Sequence, residues 1–301
     1  MVPLISNIGY GLLGACQLPR FWWKVTLRKA GLLDAEYPDC SGGLDSSVLE
    51  VLDLDKETTL SYLRDNMPNY LEFEAWILQQ KGGKIDQQAV ADWNERIRSR
   101  DHRPAKIEET YNDIGLPDDA GITSAVILNN LQDWQLFYER DSDNDFAALT
   151  GRVVPLIANI DYGTLEVCQL PRTWIKILLR AKGKLHPDYP DMTENGLDPR
   201  VLRVLGIEPA DAVAYIRENL PSYTQFEAWV LEQNDGEIDR EKADEWNTFI
   251  RNRLHRDEKR IEIHATVGRE DDGTLNSAVL LNHIEDWHLA HTDLMKALDR
   301  N

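Results

Sequence analysis

The chain has 301 residues, room for two ordinary domains with a buried core each. Its 33 Lys and Arg stand against 52 Asp and Glu, a formal charge of −19 that is shared between residues 1–150 (14 basic, 25 acidic) and the remainder (19 basic, 27 acidic). That field repels nucleic-acid phosphates and anionic lipid and argues against both as partners; three scattered cysteines make no disulfide framework and fit a reducing, cytoplasmic setting.

The stretch from Val2 to about Asp133 is written a second time from Val154 to about Asp286, with roughly four positions in ten identical. Val2-Pro-Leu-Ile, Tyr10 and Cys16-Gln-Leu-Pro-Arg20-x-Trp22-x-Lys24 return as Val154-Pro-Leu-Ile, Tyr162 and Cys168-Gln-Leu-Pro-Arg172-x-Trp174-x-Lys176. Cys16 and Cys168 are therefore equivalents, while Cys40 faces Met192. Leu13-Gly-Ala-Cys16 has the look of a lipoprotein cleavage site. No Lys or Arg precedes it, however, and the stretch recurs internally at Val154–Cys168, so it reads as part of the fold.

The elements follow in chain order, twice over. Pro19 and Pro171 suit the first turn of a helix that runs to Gly31 and Gly183 as C′ glycines. Asp45 and Asp198 are expected to cap short helices over Val48–Leu52 and Val201–Leu205. Asp55 and Glu208-Pro209 open the next pair. Asn69-x-x-Glu72 and Ser222-x-x-Gln225 approximate capping boxes ahead of an apolar face of Tyr70, Phe73, Trp76 and Ile77, or Tyr223, Phe226, Trp229 and Val230. Gly83 and Gly236 close those helices, and Asp86 and Asp239 cap the following ones, whose Val90, Trp93, Ile97 and Ala243, Trp246, Ile250 recur at helical spacing. A weaker helix is expected around Lys106–Tyr111. The last carries Val126, Leu131 and Trp134, matched by Val279, Ile284 and Trp287.

No stretch alternates as a strand does. The expectation is an all-α chain of two tandem homologous domains, each of six to seven helices, related by a pseudo-twofold axis. Domain 1 spans 1–140, an acidic linker 141–150, and domain 2 151–301. Trp134 and Trp287 are candidate contacts between the copies. The linker acids Asp141, Asp143 and Asp145 imitate the start of a calcium loop, but Phe146 stands where that loop needs Gly and Arg152 where it needs Glu.

Three constellations bear chemistry. The first long helix is apolar around most of its circumference, with Arg20, Lys24, Arg28 and Arg172, Lys176, Arg180 at i, i+4, i+8 filling the rest. Cations enclosed this way need partners. Either acids of the same domain supply them (Asp45, Glu74 and Asp39, or Asp198, Glu227 and Asp191), or the stripe lines a pocket for a phosphate or carboxylate. The second constellation is Trp93-Asn94, Arg98, Arg100, His102-Arg103, repeated as Trp246-Asn247, Arg251, Arg253, His255-Arg256. Cations there complement a helix C-terminus, and His102 and His255 are the groups able to transfer protons near neutral pH. Tyr37 and Tyr189, in a shared Tyr-Pro-Asp, offer hydroxyls to a ligand. The third, His283, His288 and His291 with Glu285 and Asp286, suggests a metal. Copy one has Asn130, Gln135 and Tyr138 at the histidine positions, which speaks against one. No phosphate-binding glycine loop, Cys-x-x-Cys pair or nucleophile elbow is present, and no cofactor is called for.

At Leu170-Pro-Arg172, Lys176, Gly183-Lys-Leu185, Tyr189, Asp198, Leu205-Gly-Ile207, Ala228-Trp229, Trp246-Asn247 and Arg256-Asp257 the chain resembles the bacterial domain-of-unknown-function family numbered 5069. Copy one carries Leu18-Pro-Arg20, Lys24, Gly31, Leu33, Tyr37, Asp45, Ala75-Trp76 and Trp93-Asn94, and departs at Leu52-Asp-Leu54 and Arg103-Pro104. The resemblance implies a bacterial, cytosolic tandem protein and brings no reaction with it. The leading expectation is a non-catalytic binding or interaction module. The rival is an enzyme or sensor for a small anionic metabolite, which needs stripe, tyrosine and histidine around one cavity.

Overall fold

The computed structural model describes residues 1–142 and 151–299, which form fourteen α-helices and no strand; three isolated bridges are the extended pairings. No helix among them is long and apolar enough to cross a membrane. Residues 143–150, most of the expected linker and most of the calcium-loop lookalike, lie outside the described residues.

Contacts divide the chain into two compact units, and the division does not fall at the junction between the sequence copies. Unit 1 contains Met1–Arg100, His255–Asn276 and the residues from Leu280 on; unit 2 contains Asp101–Leu254 with Ser277–Val279. Each unit therefore joins the first five helices of one copy to the closing helices of the other.

In unit 1 the head consists of α1 (Leu18–Lys29), α2 (Leu44–Val51), α3 (Lys56–Asn66), α4 (Tyr70–Gln80) and α5 (Gln87–Arg98). The weaker helix of copy one extends to Pro104–Ile114 as α6, which with α7 (Ala125–Leu136) and the π-helical turn Phe137–Asp141 belongs to unit 2. The head of unit 2 follows as α8 (Leu170–Ala181), α9 (Leu197–Val204), α10 (Pro209–Asn219), α11 (Tyr223–Glu232) and α12 (Arg240–Asn252). The tail of unit 1 is α13 (Asp257–Thr266) and most of α14 (Ala278–Leu298).

Local sequence accounts for most boundaries. Both capping boxes form: Asn69 and Ser222 accept from the N3 amides, and the side chains of Glu72 and Gln225 reach back to the cap amides. Asp55, Asp86 and Asp239 cap through their carboxylates. Asp45 and Asp198 do not cap: each is the second residue of its helix, turned inward and buried, with Gly43 and Gly196 at the N-cap. Burial of a lone carboxylate is too costly to serve a cap, so its partners must lie inside.

The tail of each unit is tied to its head through matching places by different residues. In unit 2, Trp134 packs edge-on against Tyr223 at 4.7 Å, the Tyr138 hydroxyl donates to Leu220 O (2.8 Å), and Asn130 Nδ2 donates to Tyr162 O (3.3 Å). In unit 1, Trp287 packs against Tyr70 at 4.7 Å, His291 Nε2 donates to Met67 O (3.0 Å), and His283 Nδ1 donates to Tyr10 O (2.9 Å). His283 and His291 thus stand in for Asn130 and Tyr138 as backbone-carbonyl donors.

Candidate functional site

The cationic stripe lies on α1 and α8, in which Leu18–Leu27 and Leu170–Leu179 are buried without a break. In unit 1, Lys24 Nζ pairs with Asp45 Oδ2 at 2.6 Å and also donates to Pro38 O (3.0 Å). Asp45 further accepts from Gln17 Nε2 (2.7 Å) and from Ser41 N (2.7 Å), and Asn7 Nδ2 donates to Gln17 Oε1 (2.7 Å). Arg20 Nη1 donates to Pro3 O (2.7 Å) and Ile5 O (2.8 Å), with its guanidinium 5.6 Å from the Tyr37 ring centre. Arg28 donates to the carbonyl of Tyr37.

Unit 2 repeats this geometry. Lys176 Nζ pairs with Asp198 Oδ2 at 2.6 Å, Asp198 accepts from Gln169 Nε2 (2.8 Å) and Thr173 Oγ1 (2.9 Å), and Arg172 Nη1 donates to Pro155 O (2.7 Å) and Ile157 O (2.8 Å). Arg172 stacks over Tyr189, and Arg180 donates to Tyr189 O. Burial pulls both lysine ammoniums below their ordinary pKa, and the paired aspartates offset part of that pull. Gln17 and Gln169 hold left-handed backbone (φ 73° and 74°) at the N-caps of α1 and α8, strain that the buried Gln–Asp bonds keep in place.

Of the acids proposed for the stripe, Asp45 and Asp198 serve it. Asp39 pairs instead with Arg64 at 2.6 Å; Asp191 pairs with Arg217 at 2.6 Å and reaches Arg180 only at 3.9 Å. Glu74 turns to the segment before α1: its carboxylate accepts from Leu12 N, Leu13 N and the Tyr70 hydroxyl, as Glu227 accepts from Thr164, Leu165 N and Tyr223. Gly11 makes the approach possible, because a Cβ there would stand 2.3 Å from the Tyr70 ring and 2.6 Å from Glu74 Oε1. Burial pushes the Glu74 carboxyl up to about 7, and pushes Glu227 in the same direction. Glu74 also edges a groove of about 400 Å³ in unit 1, walled by Leu12, Leu71, Ala75, Leu78 and Val267 with Arg269 at its rim.

Trp93 and Asn94 clamp the same segment. Trp93 Nε1 donates to Cys16 O (3.0 Å), Asn94 Oδ1 accepts from Cys16 N (2.9 Å), and Asn94 Nδ2 donates to Gly14 O (2.7 Å). Trp246 and Asn247 do likewise for Cys168 and Glu166. His102 and His255 each hold an asparagine oxygen through Nε2, Asn129 at 2.8 Å and Asn282 at 2.7 Å. Arg20, Lys24, Tyr37 and Trp93 lie in unit 1 together with His255 of the other copy, and Arg172, Lys176, Tyr189 and Trp246 lie in unit 2 together with His102. Among the described residues no group of three His, Cys, Asp or Glu is placed to hold a metal.

Sequence reasoning passed over the glutamines, the loop-holding role of Glu74 and the groove beside it. The signal for the glutamines was in the shared Cys-Gln-Leu-Pro-Arg, in which the two glutamines are as invariant between the copies as the arginines. Comparison of the chain with family models, with curated proteins and with solved structures finds no match.

Proposed function

We propose that the protein is a non-catalytic binding or interaction module. The observation that carries this reading is the closure of both stripes: Lys24–Asp45 and Lys176–Asp198 at 2.6 Å, with Arg20 and Arg172 committed to backbone carbonyls. A buried ion pair whose remaining valences are met by Gln, Ser or Thr organises an interior and leaves the paired lysine no charge with which to capture a substrate. The equivalent geometry of the two units supports reading the duplicated sequence as a duplicated structure, a pseudo-dimer in one chain with the pseudo-twofold relation expected from the repeat. The resemblance to family 5069 and a bacterial, cytoplasmic setting belong to the same proposal, as does the absence of nucleic-acid partners from so acidic a chain.

One observation favours a second reading. A buried carboxyl raised to about 7 at the edge of a 400 Å³ groove has the properties of a general base, so an enzyme or sensor for a small metabolite would centre on Glu74. The experiment is incubation of the full chain with a metabolite extract, followed by mass spectrometry. The module reading expects no compound to be consumed. A compound consumed by the wild type and spared by Glu74→Gln overturns it.

A further inference from the structure

Two arginines of unit 2 stand outside every network described so far. Arg200, on α9 and exposed, lies with its guanidinium 4.5 Å from the Phe249 ring centre and 5.5 Å from that of Trp246, and those rings are 5.5 Å apart. Arg253, at the C-terminal end of α12 one turn beyond Phe249, is half-buried; its Nε is buried without a hydrogen-bond partner. Its charged neighbour is Arg200 rather than an acid, and desolvation together with that repulsion holds its pKa below the ordinary arginine value. In a chain of net charge −19, two guanidiniums that make no ion pair among the described residues are the reverse of what composition alone would place there.

The other copy supplies an internal control. Ser47 and Arg96 occupy the places of Arg200 and Phe249. A guanidinium nevertheless covers the equivalent tryptophan, because Arg96 lies 5.0 Å from the Trp93 ring centre. The second arginine persists as Arg100, whose pKa burial also lowers. A cation on the tryptophan face is thus kept in both units from different positions in the sequence.

We propose that Arg200, lying over Phe249 and Trp246, and Arg253, one turn beyond Phe249 on the same helix, form a binding site for the phosphate group of a small organic phosphate. Two guanidinium forks offer more donors than one carboxylate can accept, whereas a phosphate monoester presents three free oxygens and two charges. An anion there removes the repulsion between the cations, and the partly exposed Phe249 offers a ring face to the organic part of the ligand. The inference rests on the reading of the chain as a binding module.

The test is calorimetric titration of the full chain at low ionic strength with phenyl phosphate and, in a separate arm, inorganic phosphate. Arg200→Ser places the first copy's residue at an exposed position that makes no ion pair, so the fold is retained. The wild type is expected to bind phenyl phosphate saturably and more tightly than inorganic phosphate. Arg200→Ser is expected to lose one molecule per chain or to bind it at least about tenfold more weakly. Unchanged stoichiometry and affinity in Arg200→Ser, or no saturable binding by the wild type, overturns the site and leaves the module reading standing. Release of phenol would instead overturn the non-catalytic reading and leave the site in place.

Discussion

Replacing Lys176 with Met removes one partner of the buried pair in unit 2 and keeps the apolar stem. Asp198, with about 4% of its surface exposed, then retains Gln169 Nε2 and Thr173 Oγ1 as donors but loses the charge that neutralised it. Breaking a buried pair in this way costs about 3–5 kcal/mol. For a unit of this size that corresponds to a fall of roughly 6–20 °C in the melting temperature. Replacing both members, as in Lys176→Met with Asp198→Asn, removes the stranded charge while the amide oxygen still accepts from Gln169 and Thr173, and is expected to recover much of the loss. Urea unfolding followed by tryptophan fluorescence and circular dichroism measures all three proteins. A Lys176→Met chain within about 1 kcal/mol of wild type would refute the reasoning, since Lys176 would then not be the cation that neutralises Asp198.

Two further outcomes follow from the same geometry. Glu74 has its folded pKa raised from 4.5 to about 7, so the folded state holds its proton more tightly than the unfolded chain does. The resulting stability is present in full below pH 4.5 and is lost as pH rises through 7, by about 3 kcal/mol in all; the stability difference between wild type and Glu74→Gln should shift by that amount over this window, and a difference independent of pH contradicts it. His291→Tyr should cost less than about 1 kcal/mol in urea unfolding, because Tyr138 makes the equivalent bond in unit 2, whereas His291→Ala should cost about 1–3 kcal/mol by stranding Met67 O; equal losses in the two variants would show that the donor is not what matters.

The helices were legible in the sequence because their signals are local. Asn69-x-x-Glu72 and Ser222-x-x-Gln225 form the boxes their spacing implies, and Val90, Trp93 and Ile97 are all buried as their period requires. The stripe was legible as a demand for partners, though not as a choice among them: Asp45, Glu74 and Asp39 are equivalent in composition, and three-dimensional placement alone separates the one facing Lys24 from the one holding Leu12 and Leu13. Asp45 misled as a cap because an aspartate near a helix start satisfies the capping rule whether it faces the backbone or the interior. The exchange of tails left no local trace. Trp134 and Trp287 read as candidate contacts between the copies, and each does meet a ring of the other copy, Tyr223 and Tyr70, but no local signal says that the whole closing helix goes with it.

Each unit takes its tail from the other copy, and one measurement tests that most directly. Unit 2 is almost continuous in sequence, so a fragment spanning residues 101–254 contains nearly all of it, whereas a fragment spanning residues 151–301 contains the head of one unit and the tail of the other. Both are expressed, purified and melted under circular dichroism. The account predicts a cooperative helical transition for 101–254, and for 151–301 a non-cooperative profile or a chain that folds only on association. Cooperative, monomeric folding of 151–301 beside an unfolded 101–254 would contradict it.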